Sequence, residues 1–150
     1  MKLFLSLFMP QLSGFIGSLF TIKAVPDWYS ALNKPSFSPP DWLFGPVWLI
    51  LYLMIGVSVY LIWRSESEEA KSNVRLFFSH LFINFLWTPV FFGMKNLMLA
   101  YFIIAILYGY IFVLIEKFWN INRLAALLLF PYFIWVTFAG LLNYYIWMLN

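Results

Sequence analysis

Five stretches of this chain carry no Asp, Glu, Lys or Arg: residues 3–22, 42–63, 76–94, 96–115 and 124–150, which are 20, 22, 19, 20 and 27 residues long. A helix of about 20 apolar residues crosses the hydrocarbon core of a bilayer, so each run is long enough to span it. Within 150 residues, five spans leave only short connections and no room for a separate soluble domain. Hydrophobic residues make up 64% of the chain, against ~45–50% in an ordinary soluble domain. A soluble core of this size could not hide that much apolar surface. The runs are continuously apolar rather than alternating, which excludes barrel strands. The expected fold is therefore an all-α membrane protein, a five-transmembrane-helix bundle forming one domain over 1–150. Its helices are expected at about 3–23, 42–63, 75–93, 97–116 and 123–147.

The remaining residues exclude several kinds of chemistry. There is no cysteine and a single histidine, His80, so neither a disulfide framework nor a thiolate or multi-histidine metal site can be built. No basic run suggests a nucleic-acid partner. The first apolar run is longer than a signal-peptide core and lacks a small-residue cleavage pattern, so it reads as a retained helix. Lys2, Arg64, Lys71, Arg75, Lys117 and Arg123 fall on one side of the alternating spans, and Lys23, Lys34 and Lys95 on the other. The positive-inside rule then places the N-terminus in the cytoplasm and the C-terminus outside. A multi-pass protein of a bacterial cell membrane is expected.

The connection over 24–41 contains Pro26, Pro35, Pro39 and Pro40, which break helices and stiffen the chain. It also carries Trp28, Tyr29 and Phe37, which favour burial, so it reads as a lid on the bundle mouth rather than a linker. Small-residue pairs at i, i+4, namely Ser13 with Gly17, Gly14 with Ser18 and Ala105 with Gly109, allow close helix approach. Packing within the bundle is the preferred reading, with a homodimer as the alternative.

Of the eight tryptophans, Trp42, Trp63, Trp119 and Trp147 lie near span ends, where an interfacial aromatic belt accounts for them. Trp48, Trp87 and Trp135 lie deeper. His80, Asn84 and Trp87 share one face of the third helix, Trp135, Ala139 and Asn143 one face of the fifth, and Trp48, Tyr52 and Gly56 one face of the second. Amide and imidazole groups turned toward lipid would be unsatisfied, so these faces point inward. They serve either as interhelical hydrogen-bonding surfaces or as the walls of a pocket.

Three blocks carry a resemblance: Trp28-Tyr29-x-x-Leu32-x-Lys34-Pro35-x-Phe37-x-Pro39-Pro40-x-Trp42-x-x-Gly45-Pro46-Val47-Trp48-x-x-Leu51-Tyr52, then Asn84-Phe85-x-Trp87-x-Pro89-x-Phe91-Phe92-Gly93, and Pro131-Tyr132-x-x-Trp135-x-x-Phe138-Ala139-x-x-Leu142-Asn143. The chain resembles the TspO/MBR family of tryptophan-rich sensory and translocator proteins over essentially its whole length. The resemblance implies a pocket beneath the first connection that binds porphyrins such as protoporphyrin IX and other tetrapyrroles of the haem pathway. Matched residue by residue, it implies a wall of Tyr29, Pro39, Trp48, Asn84, Trp87, Trp135, Ala139 and Leu142, to which Phe37 in the lid and Tyr52 are added as candidates. Phe37 stands where tryptophan is common, and His80 where glutamine is common.

The functional expectation is a membrane receptor or sensor for porphyrins or other flat hydrophobic molecules, with transport as an extension. It requires no cofactor, metal or nucleic-acid partner, and the porphyrin is the ligand. The alternative is a light- and oxygen-dependent porphyrin-degrading enzyme in which Trp48 and Trp135 supply electrons. No nucleophile–base constellation accompanies His80, and hydrogen bonding to a neighbouring helix is preferred for it over iron ligation.

Overall fold

The computed structural model describes residues 1–150. It contains α1 (Lys2–Ala24), α2 (Phe44–Trp63), α3 (Glu68–Thr88), α4 (Leu97–Ile121) and α5 (Arg123–Leu149), with no strands. All five helical segments are long and apolar enough to cross a membrane. The neighbour contacts close into a ring in the order α1, α2, α5, α4, α3 and back to α1.

Several boundaries differ from the sequence expectation, each for a local reason. α3 starts at Glu68 rather than near 75, because the Ser67 hydroxyl accepts the Ala70 N–H at 3.1 Å and Glu68 and Glu69 occupy the positively polarised first turn. α4 runs on to Ile121, past Glu116 and Lys117, and stops where Asn122 turns extended and caps α5 by accepting the Ala125 N–H. Asn96 caps α4 in the same way through the Leu99 N–H. Helices thus reach into the headgroup layer, whereas a charge-free run marks only the hydrocarbon.

The largest correction concerns the lid. The segment expected as a loop over 24–41 stays helical through Ala31, with a π-helical turn over Val25–Tyr29 that takes in Pro26. The wider i→i+5 turn, closed by the Ser30 N–H donating to the Val25 carbonyl, accommodates a proline that an α-helix interior would not. Pro89 opens a second π-helical turn over Pro89–Gly93 at the end of α3. Only about 33–40 forms the non-helical loop.

At the end of the bundle holding the N-terminus, the ring is filled by fully buried Ile55, Ile62, Phe77, Leu114, Phe118 and Leu129. α1 and α2 touch closely there: a Cβ added to Gly56 would lie 2.7 Å from the Ser6 carbonyl oxygen. Lys2 closes this end by pairing with Glu66 at 2.6 Å, and its ammonium holds the Glu66 carboxyl below its usual pKa, so the pair is ionised at neutral pH. Gly14 accepts the Tyr52 ring and Gly17 packs on Thr88, so these small residues serve contacts within the bundle. Ala105 and Gly109 do not. Both lie on the exposed face of α4, and a Cβ on Gly109 would meet nothing within 4 Å.

The glycines give a test of this packing. Gly56→Ala should destabilise the protein by ~1–3 kcal/mol through overpacking. Gly45→Ala, where a Cβ meets nothing within 4 Å, should be neutral or stabilising by up to ~1 kcal/mol from helix propensity. Thermal unfolding in detergent measures both.

Candidate ligand-binding site

The opposite half of the ring is hollow. A cavity of about 820 Å³ is walled by all five helices, and its rings include Tyr29, Trp48, Tyr52, Trp87, Phe91 and Phe92. Asp41 is its one charged wall residue. Trp28 and Tyr29, on the π-turn after α1, pack edge-on or tilted against Phe91 and Phe92 on the π-turn after α3, with centroids 5.7–6.4 Å apart. These two turns form one end wall. At the mouth, the Lys34 ammonium lies 4.1 Å from the Tyr29 ring centroid and 3.7 Å from Asp41 Oδ1. The loop is also clipped to the end of α5, where Asn150 accepts the Asn33 N–H at 3.0 Å and donates to the Asn33 carbonyl at 2.9 Å.

The polar floor is a directed chain of hydrogen bonds. The Tyr52 hydroxyl donates to Asn84 Oδ1 at 2.8 Å, Asn84 Nδ2 donates to the Tyr132 hydroxyl oxygen at 2.9 Å, and that hydroxyl lies 2.9 Å from His80 Nε2. His80 Nδ1 is 3.3 Å from the Phe77 carbonyl, which can only accept. The proton of a neutral His80 therefore sits on Nδ1, and Nε2 accepts from Tyr132. This assignment satisfies every member without a charge, as an environment with no water to spare requires. A second bridge runs from Trp87 Nε1 to Asn143 Oδ1 at 3.1 Å and from Asn143 Nδ2 to the Leu97 carbonyl at 2.9 Å.

Of the residues singled out in the sequence, Tyr29, Trp48, Tyr52, Asn84, Trp87, Ala139 and Leu142 converge on the cavity. Three lie elsewhere. Trp135 sits behind Phe44, itself a wall residue, with ring centroids 5.9 Å apart and an indole N–H that is buried without a partner. Phe37 is drawn onto the outer side of α5, where it meets Phe138 and Tyr145. Pro39 is half-buried in the loop and off the wall. His80 is fully buried beneath the floor and touches the cavity only through Tyr132 and Asn84. The wall contributed by α1, including Gln11, Gly14, Ser18 and Thr21, is absent from the sequence reading. Its signal was the recurrence of small and polar residues at 11, 14, 18 and 21, a helical face that was read as packing alone.

A model of the TspO/MBR family matches residues 6–148. The chain belongs to that family. Among its relatives, the tryptophan-rich protein TspO of Archaeoglobus fulgidus is 38% identical over 150 residues, covering all of this chain and 97% of that protein. The translocator protein of Homo sapiens is 35% identical over 144 residues, covering 94% of this chain and 85% of that protein. The tryptophan-rich sensory protein of Cereibacter sphaeroides is 32% identical over 124 residues, covering 83% and 77%. This family member is accordingly an integral multi-pass membrane protein, and the hollow half of its ring is where a ligand can be held.

The floor chain predicts how it fails. Tyr132→Phe leaves His80 Nε2 and Asn84 Nδ2 buried without their partner and should cost ~1–3 kcal/mol. His80→Leu should cost a similar amount. The double variant should lose less than the sum of the two, because both break one chain. Thermal unfolding of the four proteins in detergent gives the cycle.

Proposed function

We propose that this protein is a membrane receptor or sensor that binds porphyrins, such as protoporphyrin IX and other haem-pathway tetrapyrroles, inside the bundle. The observation that carries the proposal is the cavity. Its ~820 Å³ lies within the roughly 300–1,000 Å³ of small-molecule sites, and its wall is aromatic with few polar groups. A flat macrocycle can stack on Trp48, Tyr52, Trp87 and Phe91, while the floor amide of Asn84 supplies direction. Acidic substituents of such a ligand stay at the mouth beside Lys34. Family membership and the printed names of the relatives, sensory protein and translocator protein, agree with a receptor or sensor role and with transport as its extension.

The light-driven degrading alternative now rests on Trp48 for direct contact, since Trp135 is separated from the cavity by Phe44. Product formation under illumination that is lost in Trp48→Phe, with binding retained, would favour that reading. We also place the N-terminus in the cytoplasm, because six of the nine basic residues belong to that side.

Titration of purified protein with protoporphyrin IX should give saturable quenching of tryptophan fluorescence. Ala139→Phe should weaken binding at least about tenfold, the equivalent of ~1.4 kcal/mol lost to an overfilled wall, whereas Trp147→Phe, off the wall, should leave it unchanged. Unsaturable quenching in the parent would remove the proposal. A reporter fused after Asn150 should be active only outside the cytoplasm, and cytoplasmic activity would reverse the assigned orientation.

A further inference from the structure

The cavity is closed at its end and open on its flank. At the end, the Asn33–Asn150 clip, the Lys34 contacts and the packing of Trp28 on Phe91 and Phe92 hold the loop and both π-turns in place. On the flank, α1 and α2 part progressively along their length. They are in tight contact where Gly56 meets Ser6 and Leu7, and still in contact where Gly14 receives the Tyr52 ring. Toward the loop, a Cβ on Gly45 would meet no atom within 4 Å. Phe15 and Ile22 of α1 and Leu49 of α2 line the cavity yet are 66%, 67% and 54% exposed, so they form a rim between cavity and bilayer rather than a wall. Ser18 and Gly45 complete that rim with small side chains, and no charged residue lies on it. Where the crevice begins, Gln11 reaches across and donates to the Leu49 carbonyl at 3.2 Å.

We infer that ligands enter and leave sideways, from the hydrocarbon phase, through the crevice between α1 and α2, and that Gln11 bolts its lower corner. An apolar rim admits molecules already partitioned into lipid and offers nothing to compensate a charged group for lost hydration. The access route thus selects membrane-dissolved ligands before the wall selects their shape. The inference concerns entry alone and does not depend on the ligand being a porphyrin.

The chain has no cysteine, so Thr88→Cys places a single thiol on the cavity wall in a near-isosteric substitution. In lipid nanodiscs, lipid-soluble N-(1-pyrenyl)maleimide should label this thiol and a sulfonated, membrane-impermeant maleimide should not. Adding Gly45→Phe, or Leu49→Trp as a second way to narrow the crevice, should slow pyrene labelling at least about tenfold, the effect of ~1.4 kcal/mol added to an entry barrier. Gln11→Ala should accelerate it. Asn150→Ala, which releases the loop clip, should leave the rate unchanged. Labelling at the parent rate in both crevice variants, or acceleration by Asn150→Ala together with labelling by the charged reagent, would overturn the inference in favour of entry through the mouth. Because the readout is a covalent probe, it stands even if the porphyrin titration fails.

Discussion

Inside a bilayer a polar group has no water to fall back on, and most of this architecture follows from that constraint. Backbone groups are satisfied within the helices. The side-chain groups that remain are gathered into two bridges, Tyr52–Asn84–Tyr132–His80 and Trp87–Asn143–Leu97, which join α2, α3, α4 and α5. A hydrogen bond between membrane helices is worth only ~0.6–2 kcal/mol. Their larger effect is to fix rotation, because each helix must turn its one amide or imidazole toward a partner. The same requirement sets the floor of the cavity, since Asn84 can face the ligand only where Tyr52 and Tyr132 hold it from either side.

Fold and site were legible to different depths. The number of helices followed from charge-free runs, a direct consequence of the cost of burying charge in lipid. The convergence of Trp48, Tyr52, Asn84, Trp87 and Ala139 followed from polar and aromatic residues recurring on one helical face. The helix ends were not legible from hydropathy, because Ser67, Asn96 and Asn122 set them through caps in the headgroup layer, beyond the apolar runs. Pro26 was a misleading stop signal, since a π-turn takes the proline that an α-turn rejects. Trp135 shares a helix face with Ala139, but facing alone does not place a residue on a cavity. Phe44 comes from another helix and occupies the space between.

The two halves of the ring divide the work. At the N-terminal end, Gly56 and large fully buried aliphatic and aromatic side chains give a dry, close-packed base. At the other end, glycine, serine and threonine on α1 leave space rather than filling it. Stability therefore resides where function does not, and the cavity-lining residues can vary in size without disturbing the contacts that hold the bundle closed.

The paired π-turns carry a further implication. Each accommodates one residue more than an α-helical turn would, and Trp28, Tyr29, Phe91 and Phe92 all sit on these widened turns. Losing a single residue between Ala24 and Ser30 would restore an ordinary turn and swing every following side chain by about 100° around the axis. The indole and phenol would then leave the phenylalanines they pack against. The end wall is thus encoded as much in chain length as in side-chain identity: a one-residue deletion there would undo it with every aromatic still present in the sequence.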